Sequence, residues 1–312
     1  MKKIVLAADF GGTNLRMAVV DQDGTLLYRT RIDTPKSGTP TEIADAIVRL
    51  AQECRQTAGN EADDAPFGIA IPALVNSSGG RIVSSPNLPQ LEGFNLSSAI
   101  AEKLNVRVVL ENDAIAAAIG EHWLGASRGI DSSICVTLGT GVGGGIILNG
   151  IPLRGIDGTA GEIGHVCVEP FGVKCGCGSF GCLEQYSSGN AIVRMTRELA
   201  GEFPGSILQE KKQVTPLEVF IAGRSGDKLA VEVFRRMGFY LGIALAGLVN
   251  VLNPEVIVIG GGAAGGWELF IKEVRDGIKK RAFQQPAERV KIVRADLGDD
   301  AGILGAARLV VS

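Results

Sequence analysis

The sequence predicts an α/β fold built from two domains, and three observations lead to this prediction. The chain has 312 residues, roughly the length of two domains. Its 43 glycines, about twice the usual share, cluster after short apolar runs typical of strands. A strand, a Gly/Thr turn, a second strand and a tight turn occur twice, over residues 4–24 and 134–150. The repeat indicates a duplicated α/β unit, whose halves would face each other across a cleft.

Short apolar runs and turn residues define the predicted elements. The predicted strands are residues 3–8, 15–20, 25–32, 67–71, 106–110, 132–138, 143–148 and 255–259. The predicted helices are residues 41–57, 113–123, a helix capped by Asp227 that runs to residue 252, and residues 300–311. Asp23-Gly24 and Asn149-Gly150 are predicted hairpin turns. We expect an N-terminal domain of residues 1–112 plus 300–312, and a larger C-terminal domain of residues 113–299.

The composition excludes several classes of protein. A net charge of −3 without blocks of like charge argues against a nucleic-acid-binding surface. The first apolar run meets Asp9 too early for a signal-peptide core, and no apolar stretch is long enough to span a membrane. Three cysteines cluster and three are scattered, which favours a reducing compartment with a metal site. We therefore expect a cytoplasmic chain that binds neither nucleic acid nor membrane.

The first glycine turn, Asp9-Phe10-Gly11-Gly12-Thr13, follows the first strand. Glycines expose backbone amides that can approach a phosphate, and the Thr13 hydroxyl adds a donor. A carboxylate at position 9 suits the orientation of a magnesium-bound water. An ordinary tight turn is the alternative interpretation.

The second glycine turn begins at Gly139-Thr140-Gly141. Like the first turn, it follows a strand and combines glycines with a threonine, so it is also a candidate for phosphate binding. Its alternative interpretation is a glycine-rich hairpin or bulge. Neither turn matches the P-loop or the dinucleotide-binding pattern. Gly260-Gly261-Gly262 follows a third buried strand and would let an adenosine lie against the backbone. A loop without a ligand is the alternative there.

Two polar turns supply further candidates. Glu111-Asn112-Asp113 follows a buried strand and opens a helix, where a carboxylate is well placed to accept a hydroxyl proton. The alternative is that Asn112 or Asp113 only caps the helix. Asn87, in a proline-flanked turn, is a candidate for binding a sugar hydroxyl, with a structural loop as the alternative.

The most specific pattern lies in residues 161–184. One histidine and three cysteines match the Cys₃His ligand set of a structural zinc site: His165, Cys175, Cys177 and Cys182. Glu162 and Glu184 bracket these ligands, although the metal does not need them. A zinc-bound imidazole needs a partner for its second nitrogen, and a polyol could complete the hydrogen bonds of all three side chains. The alternative is a structural zinc loop with solvated glutamates.

These motifs occur together in an order that resembles the ROK family of bacterial sugar kinases and repressors, particularly its glucokinases. The resemblance covers nearly the whole chain, and the cysteine motif is its most specific part. It implies the actin-like ATPase (ribonuclease H-like) fold, with two α/β domains around a cleft. It also implies phosphorylation of a hexose, typically at O6, with ATP and Mg²⁺.

The resemblance further implies residue roles. Asp113 would be the general base. The residues that would bind the sugar are Asn87, Asn112, Asp113, Glu162, His165 and Glu184. The residues that would contact ATP and its magnesium are Asp9, Gly11, Gly12, Thr13, Asn14, Gly139, Thr140, Gly141, Gly260, Gly261 and Gly262. The zinc ligands would be His165, Cys175, Cys177 and Cys182.

Three hypotheses follow from the resemblance. The first is a glucose kinase, and the second a kinase for fructose, mannose, allose or an N-acetylhexosamine. The third is a sugar-responsive regulator, which the start of the first motif at Asp9 argues against, because family repressors carry a DNA-binding segment before it. The chain departs from many family glucokinases at Gln90-Leu91, where they have Gly-Trp, and at Ile115, where they have Asn. Family kinases are often dimers, so we expect a homodimer.

Overall fold

The computed structural model describes residues 3–59, 62, 64–76, 80–209, 211 and 213–311. The strands are β1 (Ile4–Phe10), β2 (Asn14–Asp21), β3 (Leu26–Asp33), β4 (Phe67–Ile71), β5 (Leu74–Asn76), β6 (Arg81–Ser84), β7 (Val108–Asn112), β8 (Ser133–Leu138), β9 (Val142–Leu148), β10 (Ile151–Pro152), β11 (Val256–Gly260) and β12 (Lys291–Arg294). The helices are α1 (Pro40–Ala58), α2 (Leu96–Leu104), α3 (Asp113–Leu124), α4 (Glu184–Ser187), α5 (Gly189–Leu199), α6 (Pro216–Arg224), α7 (Lys228–Leu252), α8 (Trp267–Arg281), α9 (Gln284–Arg289) and α10 (Ala301–Arg308). The predicted elements are therefore confirmed to within a few residues at each end.

Backbone contacts divide the chain into two compact units. Unit 1 comprises Met1–Asp131, Gly145–Gly161 and Asp296–Ser312, and unit 2 comprises Ser132–Gly144 and Glu162–Ala295. This division differs from the expected boundary after Asn112, because α3 packs with α10 inside unit 1. The two helices approach so closely that a Cβ on Gly305 would overlap the carbonyl of Ala116.

Unit 1 contains a five-stranded sheet with the order β3-β2-β1-β4-β7. β1 pairs antiparallel with β2 and parallel with β4, and β4 pairs parallel with β7. Parallel strands end at the same edge of a sheet, so the glycine turn after β1 and Asp113 after β7 lie at the same sheet edge, with β4 between their strands. Register places Asp9 opposite Ala70, and Ala70 opposite Glu111.

The core of unit 1 explains why these strands form. One face of β1 and β2 buries Leu6, Phe10 and Met17 against α1, with Ile43 and Ile47 from that helix in the same cluster. Thr39 and Glu42 form a capping box that starts α1.

The second sheet has the order β10-β9-β8-β11-β12, and the boundary between the units falls within β9. β11 lies parallel to both β8 and β12. Asn149 and Gly150 both have positive φ, of 52° and 74°, as a type I′ hairpin turn requires. In unit 2, α7 ends at Asn253, whose left-handed backbone forms the C-cap before Pro254. None of the helices in the described part of the chain has the length and apolar character that a bilayer crossing requires.

Candidate functional site

The first glycine turn of unit 1 is closed by hydrogen bonds on its inner side. The Gly11 N–H donates to the Asn14 carbonyl at 2.9 Å, and the Thr34 hydroxyl donates to the Gly11 carbonyl at 2.6 Å. Gly12 and Thr13 are exposed at its tip, and a Cβ on Gly12 would meet no atom within 4 Å. The tight-turn interpretation is thus correct for the backbone, and the open tip leaves room for a ligand.

Asp9 lies below this turn and is buried, with 7% of its surface exposed. Arg16, its partner in the β1–β2 register, donates from Nη2 to Asp9 Oδ2 at 2.6 Å. Burial raises the pKa of the Asp9 carboxyl, and the Arg16 guanidinium opposes that rise. Arg16 therefore offsets part of the cost of keeping a charge at this position.

The residue before Asp113 is confirmed as a helix cap. Asn112 accepts hydrogen bonds on Oδ1 from the N–H groups of Ala114 and Ile115, and its Nδ2 donates to the Ala73 carbonyl. Asp113 is the first residue of α3 and is half-buried. The helix dipole favours an ionised carboxylate there, as a general base requires.

Glu111 precedes this cap and is buried, with 4% of its surface exposed. Its Oε2 accepts a hydrogen bond of 2.7 Å from Arg154 Nε, and its Oε1 accepts one from the Asn112 N–H. The Arg154 pairing compensates for the cost of burying this carboxylate.

Asn87 lies elsewhere in unit 1 and is exposed on a turn. Glu92 holds this turn by accepting hydrogen bonds from Ser84 and Ser85.

In unit 2, the four predicted zinc ligands converge. The ligand atoms of His165, Cys175, Cys177 and Cys182 all lie within 4.8 Å of one another. Cys175 Sγ is 3.7 Å from His165 Nδ1, and Cys177 Sγ is 3.7 Å from Cys182 Sγ. A tetrahedral zinc with Zn–S bonds of about 2.3 Å separates its ligand atoms by roughly 3.5–3.8 Å. The donor set and its spacing therefore fit Zn²⁺.

Neighbouring groups orient these ligands. Gln185 Nε2 lies 3.6 Å from Cys175 Sγ, to which it donates. The Ser179 backbone N–H lowers the pKa of the Cys177 thiol by hydrogen bonding to its sulfur, which favours the thiolate form that binds metals. Tyr186 accepts the Val173 N–H on its hydroxyl at 2.9 Å and thereby supports the loop.

The second nitrogen of His165 faces the first of the two bracketing acids. His165 Nε2 is 3.8 Å from Glu162 Oε2. Burial raises the pKa of Glu162, His165 opposes the rise, and the charge of Glu184 adds to it. Two carboxylates and an imidazole that influence one another electrostatically form a polar group suited to a polyhydroxylated ligand.

The second glycine turn borders a cavity of about 470 Å³ in unit 2. Gly139, Thr140 and Gly262 line it, so the structure brings together three of the predicted ATP residues. Gly141, Gly260 and Gly261 are not among the lining residues. Gly261 has instead a positive φ of 86°, and a Cβ there would approach the Leu138 backbone at 2.5 Å.

The remaining lining residues had not been predicted. They come from α5, from α6 with its cap, from α7 and from the turn before α8: Gly189, Asn190, Ile192, Thr215, Pro216, Leu217, Phe220, Phe234, Ala263 and Gly266. The capping box of Thr215 and Glu218 is a signal that could have located α6. Nothing in the sequence distinguishes Phe220 from a core residue.

Two α/β units, each with a Gly/Thr turn after a strand, define a protein that handles phosphate groups. The model of the ROK family matches residues 5–312, and the chain belongs to that family. The fold is accordingly the actin-like ATPase fold.

Several relatives are similar over nearly the whole chain. The glucokinase of Thermotoga maritima is 34% identical, over 98% of this chain and 96% of that protein. The crystal structure of a ROK family glucokinase from Streptomyces griseus, in complex with glucose and AMPPNP, matches with a TM-score of 0.83 and 34% identity, over 98% of this chain and 99% of that one. The xylose repressor of Caldicellulosiruptor bescii is 30% identical, over 87% of this chain and 70% of the repressor.

Proposed function

We propose that this protein is an ATP-dependent hexose kinase that transfers the γ-phosphoryl group of MgATP to the 6-hydroxyl of glucose. One observation carries the proposal: the polar group of Glu162, His165 and Glu184 adjoins the glycine turn at Gly141 and Val142. A site for a polyol and a site for phosphates thus meet within unit 2.

The relatives support the same activity. Glucokinases match this chain at 34–35% identity over almost their full lengths. The Streptomyces griseus structure holds glucose and an ATP analogue, AMPPNP, on the same fold. Hexose and ATP are therefore the substrates.

For the sugar, we assign the hydroxyl contacts to Glu162, His165 and Glu184, with Asn87 and Asn112 as further contacts. Asp113 is assigned as the general base that takes the proton from the 6-hydroxyl. Its position as the first residue of α3 supports this role, because the N-terminal end of a helix favours a negatively charged group. In phosphoryl transfer most of the rate acceleration comes from positioning and charge stabilisation, and a base of this kind orients the nucleophile.

For the nucleotide, we assign the phosphate contacts to the two glycine turns, residues 11–14 and 139–141. Asp9 would orient Mg²⁺, which neutralises charge on the transferred phosphoryl group. Adenosine would occupy the cavity lined by Gly139, Thr140 and Gly262, and Gly260 and Gly261, which precede Gly262 in the chain, are assigned to the same adenosine-binding segment.

For the metal site, we assign zinc to His165, Cys175, Cys177 and Cys182. When bound, zinc supplies a rigid cross-link for the loop and takes no part in phosphoryl transfer. Zinc held by these four residues would fix the orientation of the His165 ring, whose Nδ1 lies beside Cys175 and whose Nε2 lies beside Glu162, on the side proposed for the sugar. A homodimer and a cytoplasmic location remain expectations from the resemblance and the cysteine pattern.

The Asp113→Asn variant tests the assignment of the base. We expect kcat for glucose phosphorylation to fall by roughly 10²–10⁴-fold, while the dissociation constants of glucose and AMPPNP change little. Glu102→Gln, on the exposed side of α2, is the matched control and should keep wild-type kinetics. Full turnover of Asp113→Asn would exclude Asp113 as the base.

A further inference from the structure

Val142, the residue that follows the second glycine turn, is contacted by both parts of the proposed sugar site. The Val142 N–H donates a hydrogen bond of 3.1 Å to Glu184 Oε2. On its other side, the Val142 carbonyl lies so close to Gly164 that a Cβ on Gly164 would overlap it. Gly164 stands between Glu162 and His165 in the chain.

The residue before Val142 is shaped to accommodate the same carboxylate. A Cβ on Gly141 would overlap Glu184 Oε2, so a larger residue at position 141 would displace the carboxylate from its place beside the Val142 N–H. Hydrogen bonds from N–H groups to an ionised carboxylate are roughly twice as strong as neutral ones. Glu184 is therefore a fixed support of the turn, although its position next to the zinc loop had suggested a sugar ligand only.

The chain that follows Glu184 holds the other end of the turn. At the start of α5, the Gly189 N–H donates to the Gly139 carbonyl at 2.8 Å, and the Asn190 N–H donates to the Thr140 carbonyl at 3.4 Å. Residues 184–190 thus form hydrogen bonds with three residues of this segment, Gly139, Thr140 and Val142. Any shift of Glu184 is transmitted to the Gly139–Val142 backbone.

From these contacts we propose that Glu184 is a positioning residue for the phosphate turn, and that it couples hexose binding to nucleotide binding. This inference rests on the proposed function, in which Glu184 also binds the sugar. A hexose hydroxyl that donates to Glu184 restrains the carboxylate, and the carboxylate restrains the Val142 amide. Because coupling is reciprocal, the nucleotide must tighten hexose binding by the same factor.

Isothermal titration calorimetry of four proteins tests the coupling. The dissociation constant of Mg-AMPPNP is measured with and without saturating glucose, for the wild type, Glu184→Ala, Gly141→Ala and Glu162→Gln. We expect glucose to tighten nucleotide binding about fivefold or more in the wild type, and less than about twofold in Glu184→Ala and Gly141→Ala. Glu162→Gln should bind glucose more weakly yet keep the wild-type ratio, because no hydrogen bond joins Glu162 to the turn among the described contacts.

A conservative variant separates positioning from folding. Glu184→Gln retains an acceptor for the Val142 N–H and should recover part of the coupling, while circular dichroism checks that every variant is folded. Three results would overturn the inference and leave the kinase assignment standing. They are wild-type coupling in Glu184→Ala, a loss of coupling in Glu162→Gln as large as that in Glu184→Ala, and a wild-type dissociation constant for Mg-AMPPNP that is the same with and without glucose. A wild type that binds neither glucose nor AMPPNP would overturn the proposed function, and this inference with it.

Discussion

The Arg16 guanidinium donates from Nη2 to Asp9 Oδ2 at 2.6 Å, across the antiparallel pairing of β1 and β2. The same guanidinium donates from Nη1 to the Asp299 carbonyl at 2.9 Å. Arg16 thereby joins the proposed magnesium-orienting carboxylate to the turn that precedes α10. Because burial raises the pKa of Asp9 and Arg16 opposes that rise, the pairing favours the ionised carboxylate that the proposed magnesium role needs.

In the Arg16→Met variant, the loss of activity on the acidic side of the pH–activity profile is expected to begin at a higher pH than in the wild type. Burial raises the pKa of Asp9 and Arg16 lowers it, so removal of Arg16 raises the pKa further. Only the ionised carboxylate suits magnesium, and MgATP affinity is lost as pH falls through the pKa. The measurement is kcat/KM for MgATP between about pH 4.5 and 8, a window that begins just above the usual aspartate pKa of about 3.9.

Arg29→Met is the control for Arg16→Met, because Arg29 pairs with Asp300 on the exposed side of β3 and does not touch Asp9. An acid limb that stays at the same pH in Arg16→Met would show that Asp9 does not limit activity there.

Metal analysis is expected to find about one zinc per chain in freshly reduced protein. Cys177→Ser should lose zinc and bind glucose more weakly, because His165 is then no longer held by the metal. Cys167→Ser is the matched control: Cys167 is exposed, lies near the site in sequence and is outside the ligand group. Zinc-free protein with wild-type glucose affinity would contradict the assignment.

Removal of the Glu121 carboxylate is expected to destabilise unit 1. This fully buried side chain accepts hydrogen bonds from the N–H groups of Ala126, Asp296 and Leu297. Glu121→Ala leaves these three N–H groups without an acceptor. We therefore expect the free energy of unfolding, measured by urea unfolding, to fall by about 3 kcal/mol or more. Glu53→Ala, on the exposed face of α1, should change stability by less than about 0.5 kcal/mol. Equal effects of the two variants would contradict this role.

Two glycine substitutions in helices are expected to have opposite effects. Gly305→Ala places a Cβ against the Ala116 carbonyl, so α3 and α10 must separate, at a cost of about 1–3 kcal/mol. Gly247 is exposed on α7 with no atom near its Cβ position, and Gly247→Ala should stabilise the protein by about 0.5–1 kcal/mol. Thermal unfolding shows whether each variant is more or less stable than the wild type. A Gly305→Ala variant that is more stable would contradict the close packing.

Local signals predicted much of the fold. Asn149-Gly150 and Asn253-Pro254 each depend on their own backbone preferences, and both adopt the predicted geometry. The amphipathic α5 was not predicted, although Ile192, Met195 and Leu199 have helical spacing and are buried.

The contacts that shape the site could not be read from the sequence. Arg154 and Glu111 are far apart in the chain, and only folding shows that they pair. Glu184 was predicted as a sugar ligand from its place beside the cysteines, but its hydrogen bond to Val142 depends on how the start of α4 packs against the start of β9. The four candidate zinc ligands could be identified from the sequence, because one histidine and three cysteines within a short segment form a recognisable pattern without tertiary information.

The most direct test of the central claim is a panel of hexoses assayed with MgATP at equal concentrations, with the products identified by ³¹P NMR. We predict sugar-dependent ADP release, the highest kcat/KM for glucose, and a phosphate ester at the 6-position. A preference for fructose, mannose, allose or an N-acetylhexosamine would replace glucose as the substrate. Absence of ADP release with every hexose would contradict the kinase assignment itself.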